Sequence, residues 1–244
     1  MAARVLWGAA YSVYVRSARL ALAEKGVAYD LVEVDVFAAG GPPAEHRARH
    51  PFGRIPAFEH DGFRLYETGA IARYVDEAFD GPPLQPTEPR PRARMNQAIS
   101  ILDNYAYRTL VWDIFVERVR APAQGRAPDE ARIAAALPKA ATCLRALEDL
   151  MDGNPFIAGP TPGLADCHAL PMLTYIPHDD RGRGADDPPP PPLRMVGSDD
   201  GASVRRGDAF AAGVGLAASP MAGADAPRKR WTGCYNNCNN KISE

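Results

Sequence analysis

The chain has 244 residues, 46% hydrophobic and 24% charged, enough for one large domain or two smaller ones that share a core. A net charge of -2 supplies no basic field to draw in nucleic acid or an anionic membrane, and no apolar run approaches the ~20 residues of a membrane helix. The cysteines Cys143, Cys167, Cys234 and Cys238 form no Cys-x-x-Cys pair and lack the partners of a metal site, so the composition predicts a soluble, cytoplasmic protein without metal.

Ala3 to Trp7 reads as a strand. A helix follows from about Val13 to Lys25, with Val15, Ala18 and Leu22 on one face and Gly26 as its stop. Tyr29 to Val34 is a second strand, and Ala44 to Arg49 a short helical stretch after the break at Gly40-Gly41-Pro42-Pro43. Ala57 to Glu59 and Phe63 to Tyr66 form a hairpin around His60-Asp61-Gly62, because Asp-Gly suits a tight turn. Thr68 opens a helix whose apolar face is Ile71, Tyr74, Val75 and Ala78. Beyond a proline-rich linker, Gly81 to Pro91, helices are expected from Arg92 to about Arg120, from Asp129 to Met151 and from Leu164 to Tyr175. From Pro177 the periodicity fails, with five consecutive prolines at Pro188 to Pro192 and a Gly, Ala and Ser-rich stretch. That tail reads as disordered.

Two places carry polar groups at helix starts. In Tyr11-Ser12-Val13-Tyr14 a hydroxyl lies near free backbone N–H groups and the positive end of a helix dipole, a position that favours an anion. Ser12 either caps this helix or activates a bound group, and Tyr11 and Tyr14 compete as donors. The second place is Arg54-Ile55-Pro56 with Glu67-Thr68. A cis proline turns the preceding backbone outward to pair with an extended peptide, Thr68 can cap its helix, and Glu67 can meet an ammonium group. A turn proline and an ordinary cap are the plainer alternative.

The βαβ then αββα order is thioredoxin-like. The runs Ser12 through Arg16 to Glu24-Lys25-Gly26, His50-Pro51-Phe52-Gly53-Arg54-Ile55-Pro56-Ala57-Phe58 and Leu65-Tyr66-Glu67-Thr68-Gly69-Ala70-Ile71-Ala72-Arg73-Tyr74 closely resemble the cytosolic glutathione transferases. The serine-type, phi and delta-like classes are nearest, and the match covers residues 3 to about 80. The resemblance implies an α/β thioredoxin-like domain over residues 1–82, an all-α domain over 90–175 and an aberrant tail over 176–244. It further implies that Ser12 donates to the glutathione thiolate, that Ile55 pairs its backbone with the cysteinyl part next to Pro56, that Glu67 and Thr68 hold the γ-glutamyl end, and that Arg54 reaches the tripeptide. Glutathione would be co-substrate and a hydrophobic electrophile the partner, with Tyr105, Tyr107, Trp112 and Phe115 as possible pocket walls. An intact chain would be a homodimer, with Phe52 where some classes insert an aromatic plug. Gly40-Gly41-Pro42 replaces the basic residues that help hold the glycyl carboxylate, leaving Arg54 or His50 to compensate. Phe156 to Pro160 with Leu164-Ala165-Asp166 resembles the family's buried capping motif, with Gly163 in place of the usual Ser or Thr. A glutathione-dependent isomerase or dehalogenase, and a non-catalytic module for protein association, are the alternative functions.

The resemblance stops after Tyr175. Arg194-Met195-Val196-Gly197, read one base later with permitted codons, gives Ala-Trp-Trp-Ala, and the prolines upstream permit His-Pro-Arg-Leu. Such sequences belong to the last helices of these transferases. Our hypothesis is a one-base frameshift between about Tyr175 and His178, which would leave apolar surface on the preceding helices uncovered. Sequencing the coding DNA is expected to show an alternative frame with the tandem tryptophans; a DNA with no such frame refutes it.

Overall fold

A computed structural model describes residues 3–175; the disordered tail and the shifted frame expected for 176–244 lie outside the described residues. Strands β1 (Arg4–Trp7), β2 (Asp30–Val32), β3 (Ala57–His60) and β4 (Phe63–Tyr66) form one mixed sheet in the order β2-β1-β3-β4. β1 is parallel to β2 and antiparallel to β3, which pairs antiparallel with β4. Alternation along the strands divides the core. Leu6 and Phe58, register partners, enter the main core, whereas Trp7 and Ala57 meet Val34 on the other face. The β3–β4 turn places Asp61 at φ 51° and Gly62 at φ 84°, the two positive angles a tight hairpin demands.

Helix α1 (Val13–Glu24) buries Val15, Ala18 and Leu22 as its periodicity predicts. It ends where Gly26, at φ 65°, donates to the carbonyl of Ala23 and Val27 donates to that of Leu22, the pair of bonds of a Schellman stop. Helix α2 (Ala44–Arg49) is short, and α3 (Thr68–Ala78) lies against α1.

Helix α4 (Pro89–Ile101) begins three residues before the expected Arg92, with Pro89 at the position where a missing N–H costs least. The expectation of a plain α-helix to Arg120 is corrected. The chain continues as π-helix over Leu102–Ala106 and Arg108–Arg120, then closes with one α-turn, α5 (Ala121–Ala123). The N–H of Tyr107 bonds the carbonyl of Leu102 and that of Ala121 the carbonyl of Val116, five residues back. Leu102, Ala106, Leu110 and Ile114 are buried along this segment.

Helix α6 (Glu130–Met151) is capped by Asp129, whose carboxylate accepts from the N–H of Arg132. The buried carboxylate of Glu117 ties it to the π-helical segment, accepting from Arg126 and Arg132. Its hydrogen bond from Arg126 comes first among the causes that hold Glu117 below the usual carboxylate range. Helix α7 (Leu164–Leu173) is buried from Leu164 through Ala169 and packs on α1, α4 and the π-helical segments, so its apolar surface is covered rather than left open. On α6, Leu137 is 53% exposed.

The two domains are joined through carboxylates. Asp76 on α3 accepts from the buried Lys25 ammonium at 3.2 Å, from the N–H of Leu84 at 2.8 Å and from Gln85 at 3.1 Å, so the linker is held to α1 and α3. The carbonyl of Leu84 in turn accepts from the N–H of Leu164, at the first residue of α7. Gly163 is glycine for this reason: a Cβ there would lie 2.9 Å from the Leu84 oxygen. The side-chain acceptor missing from the capping motif is therefore traded for close approach of the linker. Asp166 supplies the rest, accepting from the N–H of Gly163 at 2.9 Å and from that of Ile157 at 3.0 Å. Asp166→Ala strands both N–H groups in the interior, and we expect a loss of about 3 kcal/mol in urea unfolding. A loss under about 1 kcal/mol would contradict this role.

Candidate functional site

The strand register gathers the candidate residues. Trp7 pairs with Ala57 and Ala57 with Tyr66, so the end of β1, the start of β3 and the end of β4 meet at one end of the sheet. From that end leave the loop to α1, the Ile55-Pro56 approach to β3 and the junction to α3. Gly8 lets these segments close up. A Cβ there would lie 2.4 Å from Val15 Cγ2 and 3.3 Å from the Cβ of Ile55. The Ile55–Pro56 peptide is cis, with Pro56 buried and Ile55 half-buried.

Ser12 occupies the N-cap position of α1 in extended backbone, φ −65° and ψ 131°, yet its hydroxyl makes no capping bond. Its N–H donates to Ala9 and its carbonyl accepts from Arg16, so the backbone is satisfied while the half-buried hydroxyl caps no N–H of the helix. The capping alternative is thereby set aside.

The two competing tyrosines stand in different surroundings. Tyr14 packs its ring 4.6 Å from that of Tyr107 and faces Asp103; burial first, then that carboxylate, drive its hydroxyl well above the usual phenol range. Tyr11 has Arg120 over its ring at 5.8 Å, and its carbonyl accepts from the Tyr175 hydroxyl. Its own hydroxyl is also held above the usual range, by burial and then by Asp35.

At the α3 junction the capping expectation for Thr68 is corrected. Glu67, not Thr68, stands at the N-cap position, and the buried Thr68 hydroxyl crosses to the carbonyl of Tyr14 at 3.4 Å. This ties the start of α3 to the first turn of α1. Glu67 has φ 70°, a left-handed conformation that a non-glycine residue adopts only under constraint from its surroundings. Its carboxylate is exposed and lies 4.0 Å from Nε2 of His50.

His50 is 2% exposed, so it is in no position to take over a glycyl carboxylate at the surface. Arg54 is exposed and retains that possibility; its carbonyl accepts from Nε2 of the buried His46 at 2.7 Å. Of the aromatic residues on the helical side, Tyr107 faces Tyr14, Trp112 meets Phe37 edge-on at 6.3 Å, and Phe115 lies 4.3 Å from Tyr175. Tyr105 stands apart, 64% exposed. The sequence reading did not find Phe37, Tyr175 or the His50–Glu67 approach, since each depends on segments brought together from different parts of the chain.

Among the described residues no group of three or more His, Cys, Asp or Glu side chains could hold a metal ion, and no helix is long and apolar enough to cross a membrane.

Comparison with known proteins extends this picture. Residues 6–83 match the family model described as the glutathione S-transferase N-terminal domain, and residues 130–195 match that of the glutathione S-transferase C-terminal domain. Glutathione S-transferase F14 of Arabidopsis thaliana is 29% identical over 64% of this chain, an alignment that spans 63% of that relative's own length. Glutathione S-transferase F10 of the same plant is also 29% identical, over 66% of this chain and 75% of the relative. Among solved structures, glutathione transferase F7 from Populus trichocarpa superposes with a TM-score of 0.61 at 29% identity, covering 70% of this chain and 82% of that one. With both domains matched in order and the same fold recovered in three dimensions, the chain belongs to the glutathione S-transferase family.

Proposed function

We propose that this protein binds glutathione at the end of the sheet formed by β1, β3 and β4 and activates its thiol for attack on an electrophilic small molecule. What supports this reading is the Ser12 hydroxyl, which makes no capping bond at the N-cap of α1, at the end of the sheet from which the Ile55-Pro56 and Glu67-Thr68 segments also depart. A free thiol has a pKa of roughly 8.5, and lowering it by about two units requires about 2.7 kcal/mol of preference for the thiolate. One hydrogen bond to a charged acceptor supplies about 1.5–3 kcal/mol, and the helix dipole adds roughly 0.3–1 kcal/mol. Ser12 Oγ–H donating to the sulfur is therefore sufficient in magnitude. The thiolate would then displace a leaving group, or add, at the electrophilic carbon.

In this reading Ile55 offers its backbone to the cysteinyl unit beside Pro56. Glu67 takes the γ-glutamyl ammonium, the helix start at Thr68 its carboxylate, and Arg54 a further anionic group. Tyr107, Trp112 and Phe115, with Tyr175 and Phe37, would face the apolar part of the electrophile. The buried thiols of Cys143 and Cys167, neither of them in a disulfide, and a dependence on reduced glutathione both suit the cytoplasm.

Ser12→Ala is expected to lower kcat/KM for conjugation to an aryl halide by roughly 10–150-fold and to raise the pKa of the bound thiol, read from the thiolate absorbance against pH. Tyr14→Phe should change the thiol pKa little. A Ser12→Ala protein with an unaltered thiol pKa and rate would end the proposed role of Ser12. A protein of unperturbed fold that neither conjugates nor is retained on immobilised glutathione would instead favour the non-catalytic association module.

We also propose a homodimer. Phe52 is 71% exposed and stacks edge-on against Tyr66, a large apolar side chain of the kind that an interface would bury. Phe52→Asp is expected to shift the sedimentation of the purified protein from dimer to monomer; sedimentation as a monomer before the substitution would rule the dimer out.

A further inference from the structure

His50 has no part in the thiol chemistry, yet it is among the most constrained polar side chains of the first domain. It closes α2 at the C-cap position and is 2% exposed, with its ring 4.8 Å from that of Tyr66 and 6.2 Å from that of Phe52. Its Nδ1 is buried and has no hydrogen-bond partner among the described residues. Its Nε2 points to Oε1 of Glu67 at 4.0 Å. That separation is too long for a direct hydrogen bond but lies within the range at which opposite charges move each other's titration. Glu67 is the residue held in left-handed backbone at the start of α3, with its carboxylate exposed on the site side.

We propose that His50 is a positioning residue that presents the Glu67 carboxylate to the ammonium group of the tripeptide, and that a proton on His50 competes with that ammonium for the same carboxylate. This rests on the glutathione reading given above and adds to it a regulation of binding by pH. The logic is electrostatic. Neutral His50 leaves Glu67 its full charge for the ligand. Protonated His50 neutralises Glu67 from behind, so a second cation in front gains less. By reciprocity, a bound ammonium makes protonation of His50 harder.

The balance of the groups that face His50 favours a switch below neutral pH. Burial pushes the imidazole below its usual range, Glu67 from α3 opposes this, and His46 from α2 and Arg54 from the segment before β3 reinforce it. Phe52 and Tyr66 contribute rings rather than charge. Held below the ordinary imidazole range, His50 is thus mainly neutral at pH 7 and takes up its proton in the acidic range. Ligand affinity should be full above that range and decline within it.

The test uses S-methylglutathione, whose sulfur does not ionise, so that the thiol's own titration drops out. Calorimetric binding to the full chain is expected to weaken by roughly 3–10-fold between pH 7.5 and 5.5, since one unit of coupling is a tenfold change. His50→Asn should flatten this dependence and His50→Phe should weaken binding at pH 7.5, with kcat at saturating glutathione nearly unchanged in both. In parallel, the imidazole resonance of His50, assigned by its loss in His50→Asn, should titrate at lower pH in Glu67→Gln and again on addition of S-methylglutathione. Binding whose pH dependence is the same in wild type and His50→Asn, or a His50 titration indifferent to Glu67→Gln, overturns the role of His50 alone. Absence of binding at every pH in the folded wild-type protein removes the tripeptide reading itself and the competition with it.

Discussion

Where the first turn of α1 stands depends on the burial of that helix between the two domains. α1 packs against α3 on one side and α7 on the other, and its fully buried Val15, Ala18 and Leu22 leave no freedom to rotate. Burial of side chains such as Val and Leu contributes roughly 1.5–3 kcal/mol each, so small displacements are resisted by the whole core. Polar contacts then fix the two ends. At the C-terminal end Lys25 joins the Asp76 cluster that holds the linker. At the N-terminal end the Thr68 hydroxyl and the Tyr175 hydroxyl reach the carbonyls of Tyr14 and Tyr11. Ser12 sits between those two anchored carbonyls, which is why its hydroxyl has a defined position without capping anything.

The charges around the site are arranged by depth. Asp76 and Asp166 are buried and fully used in joining linker, helix starts and domains. Glu67 is exposed and, among the described residues, has no partner in hydrogen-bonding range, so its carboxylate is open to a cation from solution. The structural carboxylates thus sit where desolvation demands several donors, and the candidate binding carboxylate sits where a ligand can replace water. Tyr14 lies against Tyr107 and faces Asp103, and burial first, then that carboxylate, hold its hydroxyl above the usual phenol range.

In the helical domain the chain winds as π-helix over Leu102–Ala106 and Arg108–Arg120, with Leu102, Ala106, Leu110 and Ile114 buried along it. The same segment carries Tyr107, Trp112 and Phe115, so its winding also decides which aromatic rings meet Tyr14, Phe37 and Tyr175. Tyr105, one residue before the buried Ala106, is turned out to solvent by the same geometry.

Amino-acid order alone determined the features that rest on neighbours along the chain. The alternation that sends Leu6 and Trp7 to opposite faces, the Asp61-Gly62 turn, the Gly26 stop and the stripe of α1 are local, because backbone angles and a short period suffice to specify them. Motifs whose combination is far more specific than any one of them also single out Ser12, Ile55, Pro56, Glu67 and Thr68 as candidates for one site. Tertiary structure decided the rest. Whether Thr68 caps its own helix or bonds Tyr14 depends on which acceptor is nearer across 54 residues of chain. Gly163 looks like a missing cap until the Leu84 carbonyl is seen to fill the space of a Cβ. His50 reads as a surface candidate for a carboxylate until the rings of Phe52 and Tyr66 enclose it and turn its Nε2 to Glu67. Burial, clearance and charge proximity are properties of pairs of residues brought together by folding, and no local pattern carries them.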